Sequence, residues 1–429
     1  MKEKFIKSTI ILLIGGLITK LLGMIIKIVM SRLIGAEGLG LYMMILPTFS
    51  LFITISQFGL PVALSKLVAE DTKNNKRLMF SIIPISLIIN IILILIILLI
   101  APYLSNSLLH NKNTYFSILA IAVVIPFTTI SSITRSYFFG KQQMFPHVIS
   151  NITEDVVRLI IMLIGIPFFL PKGITYTVCF IVLSNVLSEL ASILVLFLFL
   201  PKNFKIKKRD LIPNKTYIKE SLSIGVPNTT GRFIGSIGYF LEPIILTSVL
   251  LYSGYSQSFI TREYGILSGY VMPLLLLPSF FTMAISQALL PVVSKEYVKG
   301  NNNSVKRKIK QGIGFSLLVG LPATILFLII PEFFLSLIYH TNLGVDYMRI
   351  LAPICLFQYI QAPLSSSLDA MGKSKDVMVS ATLGMITRTV LLFICSLLKI
   401  GLYGLIIAIG VNVIVVTFYS LKKVRKALT

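Results

Sequence analysis

The sequence predicts an all-α polytopic membrane protein. About twelve transmembrane helices would form two six-helix bundles related by a pseudo-twofold axis along the membrane normal. Three observations predict it. Of 429 residues, 55% are hydrophobic and only 13% charged, more apolar surface than a soluble chain of this length buries. The apolar residues fall in runs long enough to cross a bilayer. Short motifs of the first half also recur, in order, in the second.

The runs place spans at 8–34, 39–66, 79–103, 115–139, 145–170, 174–200, 218–250, 263–291, 312–338, 347–371, 376–398 and 401–421. The first follows Lys2, Lys4 and Lys7 and is too long for a cleavable leader, whose apolar core runs about 7–15 residues. It is a membrane helix. The formal charge of +23 would suit a nucleic-acid binder, but its distribution argues for topology. Lysine and arginine gather before the first span, in every second loop and after the last span. The opposite side holds only Arg32, Lys112, Lys172, Arg262, Arg349 and Lys399. This bias puts both termini in the cytoplasm and the chain in the cell membrane as a multi-pass protein, with no nucleic acid among its partners.

The longest hydrophilic stretch separates an N-terminal lobe of six spans (1–204) from a C-terminal lobe of six (218–429), with a basic cytoplasmic linker at 205–217. Ser56-Gln57-Phe58-Gly59-Leu60-Pro61-Val62 matches Ser286-Gln287-Ala288-Leu289-Leu290-Pro291-Val292 at the end of the second span of each lobe. Gly140-Lys141 recurs as Gly372-Lys373, and Arg158 as Arg388. Lys20-Leu21-Leu22-Gly23 is echoed by Arg232-Phe233-Ile234-Gly235. An even number of spans per repeat keeps both in the same orientation. Paired bundles of this kind enclose a cleft that opens to either side in turn.

Six basic residues lie well inside the spans, away from their ends: Lys20, Lys27, Arg135, Arg158, Arg232 and Arg388. Each costs about 2.5–3.5 kcal/mol near a helix centre unless it is paired or wet. At about 100° per residue, Gly16, Lys20, Gly23, Lys27 and Ser31 share one stripe of the first helix. Asn228, Arg232, Gly235, Ser236 and Tyr239 form the corresponding stripe of the seventh. Arg158 has Glu154 and Asp155 one turn away, a spacing that suits either a structural ion pair or an ion-coupling site. Lys20, Lys27 and Arg232 have no acid on their own helix face, and Arg135 and Arg388 join them as candidate cations of the cleft. A cationic cleft short of acids selects an anion, and guanidinium and ammonium groups suit phosphate. Gln358 and Gln361 are candidate polar lining.

Catalytic chemistry is absent from this pattern. Gly372-Lys373-Ser374 lacks the earlier glycine of a phosphate-binding loop. No Ser/His/Asp set, metal cluster or cofactor motif occurs, so neither catalysis nor a cofactor is expected. Cys179, Cys355 and Cys395 are widely separated in apolar stretches and read as small buried hydrophobes. His110, His147 and His340 read as isolated loop or interface residues.

With these features assembled, the sequence resembles the multidrug/oligosaccharidyl-lipid/polysaccharide exporter superfamily. Within it, the resemblance is to polysaccharide-biosynthesis and stage V sporulation protein B-type flippases, relatives of the lipid II flippases. It rests on Thr19-Lys20-Leu21-Leu22-Gly23, Ser31-Arg32-Leu33-Ile34-Gly35 and Gly38-Leu39-Gly40-Leu41-Tyr42. Leu60 to Lys66, Gly140-Lys141-Gln142 and Leu290 to Lys295 add to it. The resemblance implies the fold shared by MATE exporters and lipid II flippases, a cationic cavity, alternating access and an undecaprenyl-diphosphate-linked saccharide as cargo. Lys20 matches the family's cationic position in the first helix. The chain departs from the lipid II flippases where their next basic residue aligns with Ile26, one position before Lys27. It departs again at Met272, which falls where they are basic, and in having about twelve spans rather than fourteen.

The function expected is therefore a non-enzymatic flippase for a polysaccharide or peptidoglycan precursor, including that of the spore cortex. The bilayer and envelope-biosynthesis enzymes are its partners, and the chain acts as a monomer. Two alternatives stand beside it. A cation-coupled multidrug exporter would use Glu154 and Asp155. A non-transporting envelope or sporulation scaffold would depend on its cytoplasmic loops instead of its interior charges.

Overall fold

A computed structural model describes residues 2–70, 74–200 and 213–428, apart from the side chains of 2–9, 13, 228 and 231. Most of the expected linker and the side chain of Asn228 thus lie outside the described residues. Every element among them is helical. The first half holds α1 (Lys2–Gln57), α2 (Leu60–Ala69), α3 (Asn75–Tyr103), α4 (Tyr115–Gly140), α5 (Met144–Phe169) and α6 (Ile174–Leu198). There follow α7 (Lys215–Tyr252), α8 (Gln257–Gly265), α9 (Met272–Leu275), α10 (Pro278–Val298) and α11 (Asn302–Ile329). The chain closes with α12 (Pro331–Tyr339), α13 (Val345–Ala370), α14 (Ser374–Leu397) and α15 (Tyr403–Leu428).

All twelve expected spans are present as helix, but not as one helix each. The first two share α1, which turns a corner at Gly35 (φ 66°, ψ −172°). The second continues past a break at Phe58 and Gly59 into α2. The eighth is built from α8, a π-helical turn, α9 and α10, with a bend of 48° before Pro278. Among the described residues, eight helices, with the bent pair as a ninth, are long and apolar enough to cross a bilayer. The fifth and tenth spans, α5 and α13, carry interior charges and amides instead.

Local chemistry sets the helix ends. Asn74 accepts from the backbone N–H groups of Lys76 and Arg77 to start α3, and Asn301 accepts from Ser304 N–H to start α11. These are N-cap bonds that satisfy otherwise unpaired first-turn donors. Pro61, Pro278 and Pro331 sit in first turns, where a missing N–H costs nothing.

Packing divides the chain into two compact units, Met1–Phe240 and Leu241–Thr429, with the boundary inside α7. The sequence repeat divides it earlier, in the linker. In unit 1, α4 packs against α1, α2, α3 and α6, and α5 against α1 and α6. Leu60, Leu64, Leu78, Ile82, Ile133 and Phe138 form a core there. In unit 2, α13 is central, packed against α10, α11 and α15.

The repeat keeps one register from the end of the second span of each lobe onward, while Lys20 and Arg232 of the first spans fall outside it. Gln57 and Gln287, Pro61 and Pro291, and Arg158 and Arg388 are each 230 residues apart. The turn between the fourth and fifth spans follows the same register. Gln143 N–H donates to Phe138 O and Gln142 N–H to Phe139 O; Lys373 donates to Leu368 O and Gly372 to Asp369 O. Both are Schellman closures, and their left-handed residues are Gln142 (φ 56°) and Gly372 (φ 73°). Gly372 is therefore the counterpart of Gln142. The Gly140/Gly372 match made from sequence was two positions out.

Candidate functional site

The stripe expected on the first helix is largely present within unit 1. Gly16, Lys20, Gly23 and Lys27 lie about 160° around α1 from the exposed apolar row of Ile14, Ile18, Leu21 and Ile25, on nearly the opposite face. Lys20 and Lys27 are both half-buried. A Cβ added at Gly16 or Gly23 would meet no described atom within 4 Å, so the helix surface beside each lysine is open. Ser31, expected to complete the stripe, is buried, and its hydroxyl donates to Ile28 O at 2.7 Å.

The broken second span positions Arg232. With Phe58 (φ 47°) and Gly59 (φ 66°) left-handed, α1 ends at Gln57 and its backbone is laid against α7. A Cβ on Gly59 would stand 2.2 Å from Gly225 O, so only glycine allows the approach. About one and two turns along α7, Thr229 and Arg232 join Thr54, Gln57, Gly59, Pro61 and Val62 around a cavity of about 30 Å³. That volume takes a water or two. Ser236 and Thr54 share a hydrogen bond of 3.0 Å just beyond. Gly235 faces open space, and Tyr239 is exposed.

The other interior cations are neutralised. Arg135 of α4 donates to Glu154 of α5, to Glu189 of α6 at 3.1 Å and to Ser192 at 2.7 Å. Arg158 pairs with Glu154 and, at 3.7 Å, with Asp155. In unit 2, Arg388 of α14 meets Glu242 of α7 at 2.5 Å, and the other carboxylate oxygen of Glu242 accepts from Tyr264 at 3.2 Å. Arg135 and Arg388, expected among cations awaiting an anion, thus already have carboxylates. Among the described residues, Lys27 and Arg232 are in no ion pair.

Of the polar residues expected on the tenth span, Gln361 spends its amide on Val413 O and Thr417 Oγ1 of α15, both at 3.0 Å, and Gln358 is half-buried. Three residues were missed as site members. Glu189 is the acid that ties α6 to Arg135; its signal was a lone charge in an apolar span. Gln57 and Thr54 border Arg232, and their signal was the Ser-Gln-Phe-Gly-Leu-Pro run at the end of a helix. No group of three or more His, Cys, Asp or Glu among the described residues is placed to hold a metal.

The family model for polysaccharide biosynthesis proteins matches residues 5–297, and a MatE model matches 268–394. The chain belongs to the polysaccharide biosynthesis protein family. This family member is 35% identical over its whole length to Stage V sporulation protein B of Bacillus subtilis, covering 85% of that protein. Its fold is similar to that of a multidrug-resistance MATE transporter of the MOP superfamily in an inward-facing conformation. The TM-score is 0.73 at 16% identity, covering 96% of this chain and 94% of that one. It is equally similar to a lipid II flippase MurJ in an inward closed conformation, with a TM-score of 0.73 at 15% identity over 97% and 88% of the two chains. The polysaccharide biosynthesis family member is thus a multi-pass membrane protein.

Proposed function

We propose that the chain flips an undecaprenyl-diphosphate-linked saccharide across the cell membrane by alternating access, with both termini in the cytoplasm. One observation carries the reading. Lys27 and Arg232, inside spans and without carboxylate partners among the described residues, stand apart from Arg135, Arg158 and Arg388, which are all paired. A cation kept unpaired in a poorly hydrated setting is costly, and an incoming diphosphate offsets that cost while it is bound. Arg232 offers a planar fork for two phosphate oxygens, and Lys27 and Lys20 offer ammonium donors along the open face of α1. The exposed side chain of Tyr239 and the amide of Gln57 suit the sugar. A lipid II flippase among the structural neighbours supports the cargo class. A stage V sporulation protein among the relatives supports a cell-wall precursor of the spore.

A reconstituted flipping assay with defined undecaprenyl-diphosphate sugars tests this. Lys27→Ala and Arg232→Ala are expected to cut transport about 10–100-fold each, the worth of a charge-assisted hydrogen bond, while inserting normally. Full activity in both variants removes the site. Labelling of single cysteines at Asn302 and Asn113 tests the orientation: Asn302 should react from the cytoplasm and Asn113 from outside.

One observation favours a second reading. The cluster of Arg135, Arg158, Glu154, Asp155 and Glu189 holds three carboxyl groups for two guanidinium groups. A spare carboxyl group can exchange a proton or cation, either to drive the flippase or, in a multidrug exporter, to trade for a cationic drug. Efflux of cationic dyes by the chain in an exporter-deficient host, with no flipping of lipid-linked sugars, would favour the exporter.

A further inference from the structure

Within unit 2, α11 is drawn tightly to two of its neighbours and stands off from a third. Gly312 lets it close on Leu289 of α10, where a Cβ would lie 2.7 Å from the leucine side chain, and Gly320 lets it close on Tyr359 of α13 at 2.5 Å. Against α15 it makes few contacts. The gap left between α11 and α15 is a cavity of about 570 Å³. Its floor is apolar, formed by Ile309, Ile313, Leu364, Leu421, Val424 and Leu428. Three cations, Lys306, Lys310 and Arg425, complete its lining, which includes no acid. The floor continues the packed cluster of Leu289, Val293, Val305 and Leu368.

The cations are not explained by the helices that carry them. Lys306 and Lys310 are the fifth and ninth residues of α11, beyond the first turn where the helix dipole acts, and among the described residues neither is in an ion pair. An excess of basic residues at one membrane face accounts for their sign. It does not account for three of them converging on one apolar cavity between membrane helices.

We propose that this cavity binds an anionic phospholipid, with one acyl chain on the Ile313–Leu421 floor and the phosphate held by Lys306, Lys310 and Arg425. Basic pockets between membrane helices hold anionic headgroups in this way. The volume is that of a pocket for a drug-sized molecule, enough for much of one acyl chain and far short of a long polyprenyl tail, so the occupant is a membrane lipid and not the transported carrier. The site lies wholly in unit 2 and does not depend on Lys27 or Arg232.

The test is native mass spectrometry of the full chain in detergent, titrated separately with phosphatidylglycerol, phosphatidylcholine and undecaprenyl phosphate. Phosphatidylglycerol should be retained in preference to the other two. The variant K306E/K310E/R425E should lose it by at least about a hundredfold, the worth of three surface cations before charge reversal adds to it, whereas Lys66→Glu in unit 1 should not change it. Phosphatidylglycerol carrying a photoactivatable group on its acyl chain should cross-link to peptides containing Ile313 or Leu421 in the unaltered protein. Three results would each overturn the proposal: equal binding of phosphatidylcholine, unchanged binding by the triple variant, or preferred binding and cross-linking of the undecaprenyl lipid at this cavity.

Discussion

Arg388 and Glu242 join α14 to α7 through a 2.5 Å contact, and the carboxylate is almost fully buried, with 6% of its side chain exposed. The arginine is therefore an internal counter-ion whose loss strands a negative charge in an apolar interior.

Arg388→Leu alone should destabilise the protein by about 3–5 kcal/mol, because an uncompensated buried charge is left behind. The double variant Glu242→Leu/Arg388→Leu should recover most of that, since two apolar side chains remove both desolvation costs. Reversible unfolding in mixed micelles measures both. A double variant as unstable as the single one would mean that the pair is not what holds these helices together.

Arg135 has the same role among three helices of unit 1, bridging Glu154 and Glu189. Arg135→Ala should lower the unfolding midpoint in detergent, and adding Glu189→Gln should raise it again by removing the stranded carboxylate. Because the groups are mostly buried, the effect should survive high salt, which screens exposed pairs only. Abolition of the difference at 1 M salt would place the pair at the surface instead.

Glycines that look alike in sequence should behave in opposite ways. Gly225→Ala brings a Cβ to 2.9 Å from Phe58 O, and Gly59→Ala meets backbone at 2.2 Å in a left-handed conformation as well. Both should reduce the yield of folded protein sharply. Gly23→Ala and Gly235→Ala enter open space and should fold as the parent does. Gel-filtration profiles of the four variants from detergent extracts decide it, and four equal profiles would remove the claim of backbone contact at Gly59.

Hydrophobic run length made all twelve spans legible, because a bilayer demands an apolar stretch of set length whatever its neighbours are. The boundary at Gly35 was legible, between spans ending at 34 and beginning at 39, though it is a corner and not a loop. The interruption at Phe58–Gly59 was not legible, since it falls inside one apolar run and is settled by backbone conformation and by the approach of α7. The pairing of Arg158 could be read because Glu154 and Asp155 are one turn away on the same helix. Arg135 and Arg388 find their acids on other helices, so their neutralisation could not be read from spacing. Gln361 was misjudged for the same reason: its partners, Val413 and Thr417, belong to α15.

The corner at Gly35 has room around it, with no described atom within 4 Å of where a Cβ would sit, yet its φ of 66° and ψ of −172° belong to a region open essentially to glycine alone. Two spans are consequently coupled by a stiff elbow with no slack. An epitope tag or protease site spliced in at residue 35 should wreck assembly, while the same insert between Gly300 and Asn301, ahead of the α11 cap, should be tolerated. In this protein, a connection that looks like a dispensable surface turn is the one least free to be edited.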